Sequence, residues 1–155
     1  MNTINTSDLK KFILEASRAT YASGDESLKQ KQPDGSTTIR YTNGIYTYHD
    51  NYFGGEPYGG REVVFLNEKP IWMMTYYGFV HTGVENKGVY DFLIQSLSHS
   101  TIEMPYRGPV SYEQKGWRYE NDFIGEAQNF SGAEKIFKDG ICVYEAKYIG
   151  GLIDQ

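Results

Sequence analysis

The sequence predicts one α+β domain, two helices against one face of a curved antiparallel sheet, arranged as two matching helix-plus-strands halves with pseudo-two-fold symmetry. Three observations predict it. Aromatic residues make up 15% of the chain, 14 of them Tyr, a surplus that suits pleated, half-buried surfaces. Two stretches place apolar residues at helical spacing, while most of the rest alternates and is punctuated by Asn-Gly and Asp-Gly turns. Finally, segment 58–78 recurs without a gap at 130–150.

The elements follow in order. Thr6 or Ser7 is the expected cap of a first helix that starts near Asp8, whose carboxylate suits the positive helix end. Leu9, Phe12, Ile13 and Ala16 then share one face, and the helix should stop by about Tyr21, before Ser23-Gly24. Residues 23–36 are polar, carry two Gly and one Pro, and read as a mobile loop. Runs 37–42 and 45–50 flank Asn43-Gly44 and form a hairpin, because Asn-Gly accepts the positive φ angles of a tight turn. The glycine-rich stretch 51–60 links it to a second hairpin, 61–67 with 70–78, turning at Glu68-Lys69.

A second helix is expected over about 86–99, with Val89, Phe92, Leu93 and Leu97 on its apolar face. Residues 101–116 read mostly as loop. Strands follow at about 117–123, 132–138 and 141–148, the last turn being Asp139-Gly140.

The repeat organises these elements. Glu62 aligns with Glu134, Val64 with Ile136, Trp72 with Tyr144, Tyr76 with Tyr148 and Gly78 with Gly150. Upstream, one inserted residue lets 48–54 match 119–125, and helix segment 10–17 resembles 90–97. The single domain, 1–155, therefore divides into halves at about 8–83 and 88–153. Such halves must share a core, and the seam between them is the expected ligand site.

Composition narrows the function classes. The formal charge is −5 with scattered basic residues, so the positive stripe a nucleic-acid binder needs is missing and direct DNA or RNA binding is not expected. The N-terminal segment lacks the apolar run of a signal peptide or membrane span, so no membrane association is expected. One cysteine, Cys142, excludes an internal disulfide and fits a reducing compartment; the expected location is the cytoplasm.

The motif string is specific. It comprises Ala19-Thr20-Tyr21-Ala22, Asp50-x-Tyr52-Phe53-Gly54-Gly55, Gly60-x-Glu62-Val63-Val64, Pro70-x-Trp72 and Tyr76-Tyr77-Gly78. It continues through Tyr106-Arg107-Gly108-Pro109, Phe130-x-Gly132-x-Glu134-x-Ile136 and Tyr148-x-Gly150-Gly151-Leu152-Ile153. On these residues the chain resembles an uncharacterised bacterial domain family whose members stand alone or follow a helix-turn-helix segment. The resemblance implies a sensor or regulatory role in the fused forms and no established activity. A looser likeness of architecture is to duplicated α+β effector-binding domains, in which a carboxylate in an aromatic cleft receives cationic drugs.

Glu62 and Glu134 are the leading candidates, because each sits beside apolar neighbours at an equivalent strand position. Their structural role would be to accept backbone N–H bonds from the adjacent glycine loop; their functional role would be to counter a cationic or hydrogen-bonding ligand. Alternation puts Trp72, Met74 and Tyr76 on one face, matched by Tyr144, Ala146 and Tyr148. Core packing explains that stripe, or else it lines an aromatic pocket extended by Tyr46, Tyr48 and Tyr52. The glycine-rich 54–60 stretch lacks the lysine and following helix of a phosphate loop. His49, His81 and His99 lie in separate elements without partners at metal spacing, so neither a metal nor a cofactor is expected. Cys142 reads as a small core residue on the face of Tyr144, and Arg107 as a partner for a carboxylate.

The expected function is therefore a small-molecule-binding or sensor domain with an aromatic, acidic cleft, its site comprising Glu62, Glu134, Trp72, Tyr76, Tyr144, Tyr148, Tyr48 and Tyr52. Two alternatives stand beside it. One is an enzyme, hydrolytic for example, using Glu62 or Glu134 with a Tyr, His49 or Arg107. The other is a protein-interaction domain, with a protein partner or a homodimer.

Overall fold

The computed structural model describes residues 4–154; residues 1–3 and 155, which the one-domain span of 1–155 includes, lie outside them. Asn5, not Thr6 or Ser7, caps the first helix. Its Oδ1 accepts from the backbone N–H groups of Ser7 at 3.0 Å and Asp8 at 3.3 Å, satisfying donors that have no partner inside the helix. Helix α1 spans Thr6–Ala19 and buries Leu9, Phe12, Ile13 and Ala16, so the expected face is correct and the start lies two residues earlier.

Among the described residues nine strands follow: β1 (Gln30–Lys31), β2 (Thr37–Asn43), β3 (Tyr46–Gly54), β4 (Tyr58–Leu66), β5 (Lys69–Val80), β6 (Ser111–Gln114), β7 (Trp117–Glu126), β8 (Asn129–Lys138) and β9 (Ile141–Leu152). Helix α2, Asn86–Leu97, lies between β5 and β6. All strands join one open, curved antiparallel sheet in the order β1-β2-β3-β4-β5-β9-β8-β7-β6. Where β5 meets β9, Tyr76 pairs with Tyr148. The architecture is α+β, as the sequence predicts.

The departures from expectation have local causes. Polarity marked 23–36 as loop, yet Gln30 and Lys31 pair with Thr38 and Thr37 as a short edge strand. An edge strand buries little, so it carries no apolar pattern. Likewise β6 emerges from the stretch expected to be mostly loop. The link at 51–60 is largely ladder, since Asn51–Gly54 pair with Arg61–Tyr58.

Both helices cover the same sheet face. Helix α1 packs with Tyr48, Val64, Trp72 and Met74; α2 packs with Tyr119, Ile136, Tyr144 and Ala146. Burying a residue such as Leu9 or Ile13 contributes roughly 1.5–3 kcal/mol, and α1 alone buries four apolar side chains on this face. Trp72 is fully buried and packs against the stacked pair Tyr106 and Phe130, with ring centroids 5.5 and 5.8 Å away.

The register shifts between Val64 and Phe65 against β5, and between Ile136 and Phe137 against β9. The second shift corrects one expectation. Tyr144 pairs with Ile136, but Phe137 pairs with Cys142, which leaves Val143 as an extra residue and turns Cys142 off the face of Tyr144. The thiol instead lies with Glu145 and His81, the three ligand-type atoms all within 4.8 Å of one another. Histidines and the cysteine that are remote in sequence are thus not all remote in space. No helix among the described residues is long and apolar enough to cross a membrane.

Candidate functional site

The covered face holds a polar layer that alternation builds. On β3, Tyr48, Asp50 and Tyr52 point inward in succession, and Asp50 lies directly opposite Glu62 on β4. On β7 and β8, Asn121 lies directly opposite Glu134. Tyr76 on β5 reaches Asp50 Oδ1 with its hydroxyl at 2.5 Å. Tyr148 on β9 reaches Asn121 Oδ1, also at 2.5 Å. A Cβ on Gly132 would come within 2.2 Å of the Tyr148 hydroxyl, so glycine there clears the path of that ring across β8.

The two sides differ in charge. Arg107 arrives from the loop before β6, 4% exposed, and donates from Nε to Glu134 Oε1 at 2.7 Å. Tyr119 donates to Glu134 Oε2 and accepts from the Gly108 N–H at 3.1 Å. Asn121 Nδ2 donates to the Gly108 carbonyl at 3.0 Å. The Tyr106-Arg107-Gly108 turn is therefore bonded into β7, and Glu134 is matched by a guanidinium. Burial works against the charge on Arg107, but Glu134 and the tyrosines around it hold the guanidinium firmly protonated.

Glu62 receives nothing comparable. It is 1% exposed, and its Oε2 and the Tyr48 hydroxyl are both buried without a hydrogen-bond partner. Burial first, and then the charge of Asp50, push the Glu62 carboxyl well above its ordinary range; Arg107 and the facing Tyr48 hydroxyl ease this only in part. Asp50 is 3% exposed, and burial raises it to about 6 against the lowering effects of Tyr76, Arg107 and Lys29. The expected backbone donors from the glycine loop are not what holds Glu134: its partners are side chains.

Asp50, Glu62, Tyr76 and Arg107 line one cavity of about 640 Å³ between the sheet, α2 and the segment that follows α1. Tyr21, Tyr52, Tyr58 and Tyr90 add aromatic wall, and Leu93, Ile94 and Leu97 of α2 add apolar wall. Lys29 and Lys31 also line it but are engaged, Lys29 with Glu26 at 2.7 Å and Lys31 with the Thr37 hydroxyl at 2.8 Å. Burial above all holds the Tyr21, Tyr58 and Tyr76 phenols above their ordinary range, so they are neutral near pH 7. A cavity of this size, with apolar and aromatic walls and a few convergent polar groups, suits an organic ligand.

Of the sequence-predicted site residues, Glu62, Tyr76 and Tyr52 line this cavity. Tyr48 sits fully buried behind Glu62. Glu134 and Tyr148 belong to the Arg107 side of the polar layer. The Tyr144 hydroxyl bonds that of Tyr58. Trp72 belongs to the α1 core. Asp50 stands in the motif string but is not among the predicted site residues; its signal is the i+2 run Tyr46, Tyr48, Asp50, Tyr52, which puts it among the inward tyrosines. Tyr21, Tyr58 and Tyr90 had no local signal.

Neither the curated proteins nor the solved structures contain a significant match to the chain. The family described as Domain of unknown function (DUF5680) matches residues 50–153, from Asp50 through the end of β9, more than half of the chain. With the Asp50–Glu62 pair, Glu134 and the arginine turn inside that span, the chain belongs to the DUF5680 family.

Proposed function

We propose that this protein is a small-molecule-binding domain of the sensor type, whose ligand enters the cavity between the sheet and α2 and presents a cationic or hydrogen-bond-donating group to Glu62 and Asp50. One observation carries the reading. Two adjacent carboxylates are buried at a cavity wall with no cation committed to them, while the nearest guanidinium is committed to Glu134. Burying carboxylates without a cation to match them costs several kcal/mol, and a ligand that supplies the charge and the donor missing at Glu62 Oε2 offsets that cost. The tyrosine walls support a flat or cationic body.

The same proposal takes the two halves as copies of one unit working in a bacterial cytoplasm. The matched segments support the first point; the lone Cys142 and the motif resemblance support the second. A panel of small cations, planar amines and neutral isosteres, screened by thermal denaturation, tests the binding role. Ligands selective for the folded chain raise its melting temperature, and Glu62→Gln and Asp50→Asn should abolish the shifts. Shifts that survive both substitutions would place the ligand elsewhere and end the proposal.

A further inference from the structure

We infer that the polar head of the ligand is a planar guanidinium or amidinium cation, seated on Glu62 and Asp50 and covered by tyrosine rings. This rests on the cavity being a ligand site and narrows the chemistry of that site. The first ground is the unpartnered acceptor. Glu62 Oε2 is buried at the wall and receives no hydrogen bond, whereas Asp50 Oδ1 is already taken by Tyr76. Directly opposite residues on antiparallel strands stand roughly 5 Å apart at Cβ, so the two carboxylates face the cavity side by side. A guanidinium or amidinium offers several N–H donors in one plane and spans two such acceptors; an ammonium is a compact point charge.

The second ground is the chain's own solution in the other half of the sheet, on the same face. There, at the same register position, Glu134 is met by a guanidinium through Nε and by a tyrosine hydroxyl. Glu62 has the facing tyrosine, Tyr48, and lacks the guanidinium. The third ground is the wall. The Arg107 guanidinium carbon lies 5.9 Å from the Tyr21 ring centroid and 5.6 Å from that of Tyr76, so rings lining the cavity already hold one planar cation. Tyr58 meets both Tyr76 and Tyr90 at 5.9 Å between centroids, which continues the aromatic surface. The volume of about 640 Å³ admits an organic body behind the head group.

Isothermal titration calorimetry at neutral pH with benzamidine, phenylguanidine, benzylamine and benzamide tests this on the full chain. The variants are Glu62→Gln and Asp50→Asn, checked for folding by circular dichroism, with Glu145→Gln on the outer face as a control. The expected result is one site per chain, with the amidine or guanidine bound about tenfold or more tightly than benzylamine. That binding is lost in both acid variants and unchanged in the control. Benzylamine bound as tightly as the planar cations, and still lost with the acids, overturns the planar-cation inference and leaves the cavity reading standing. Planar-cation binding that persists in both acid variants, or no binding by any of the four compounds, overturns the inference and the cavity reading together.

Discussion

Replacing Asp50 by Asn should stabilise the protein at neutral pH and do nothing at pH 4. In the folded chain the Asp50 carboxyl is raised from 3.8 to about 6, chiefly by burial. A carboxyl raised on folding makes the native state hold its proton where the unfolded chain has released it. Its contribution is therefore intact below pH 3.8 and is lost as pH climbs through 6. The shift is about 2.2 pH units, and each unit corresponds to about 1.36 kcal/mol, so ionised Asp50 destabilises the fold by ~3 kcal/mol at pH 8. For a chain of this length that amounts to about 6–12 °C in melting temperature.

Asparagine is a suitable replacement because the chain already uses one in the corresponding setting: Asn121, opposite Glu134, accepts from Tyr148 just as Asp50 accepts from Tyr76. Urea unfolding followed by tryptophan fluorescence at pH 4 and pH 8 gives the comparison, and carboxylates remote from Asp50 cancel in the difference. A gain of about 1–3 kcal/mol at pH 8, vanishing at pH 4, is expected. If the variant is less stable at pH 8, or gains equally at both pH values, Asp50 is not a buried carboxyl short of a partner.

Arg107→Met should lose about 3–5 kcal/mol in denaturant unfolding, because it strands the Glu134 carboxylate in the interior; a loss under 1 kcal/mol would mean Glu134 is solvated. Tyr119→Phe removes a hydroxyl that both donates to Glu134 and accepts from the Gly108 N–H. About 1–3 kcal/mol of stability should go with it, and an unchanged urea midpoint would contradict that network. Trp72→Phe should cost roughly 1–3 kcal/mol through lost volume in the α1 core, yet leave the affinity of any cavity ligand unchanged. Altered affinity in a variant that remains folded would return Trp72 to the site.

The strongly periodic parts of the fold were legible. The apolar face of α1, the Asn-Gly and Asp-Gly hairpins and the pairing of β4 with β5 all follow from spacing and turn chemistry, which are local. Glu62 stood out for a local reason as well, an acid on an apolar face. What separates it from Glu134 is not local. Arg107 lies 27 residues before Glu134 and reaches it only because Tyr119 and Asn121 bind the backbone of Gly108. No spacing rule encodes that approach, so two glutamates that look alike in sequence carry opposite electrostatic status. Cys142 shows the same limit at short range. Period-2 counting assigns it the face of Tyr144, and one bulged residue reverses the assignment.

The uncompensated acids also dictate how ligand binding must depend on pH. A cation docks on the ionised form of Asp50, whose carboxyl in the free protein titrates at about 6. Below that value binding must first expel a proton, so the apparent Kd rises by up to tenfold per pH unit, and the raised Glu62 carboxyl adds to the same trend. Binding measured at pH 7 and at pH 5 should therefore weaken by about tenfold, with proton release visible as a dependence of the binding heat on buffer. The substitution and the ligand also remove the same cost by different routes, so their effects cannot add. Wild type at a ligand concentration a hundredfold above Kd gains about 2.7 kcal/mol, close to the ~3 kcal/mol expected from Asp50→Asn alone. The Asn variant given the same ligand should gain nothing further. Affinity equal at pH 5 and pH 7, or a ligand shift undiminished in the variant, would separate the binding site from Asp50.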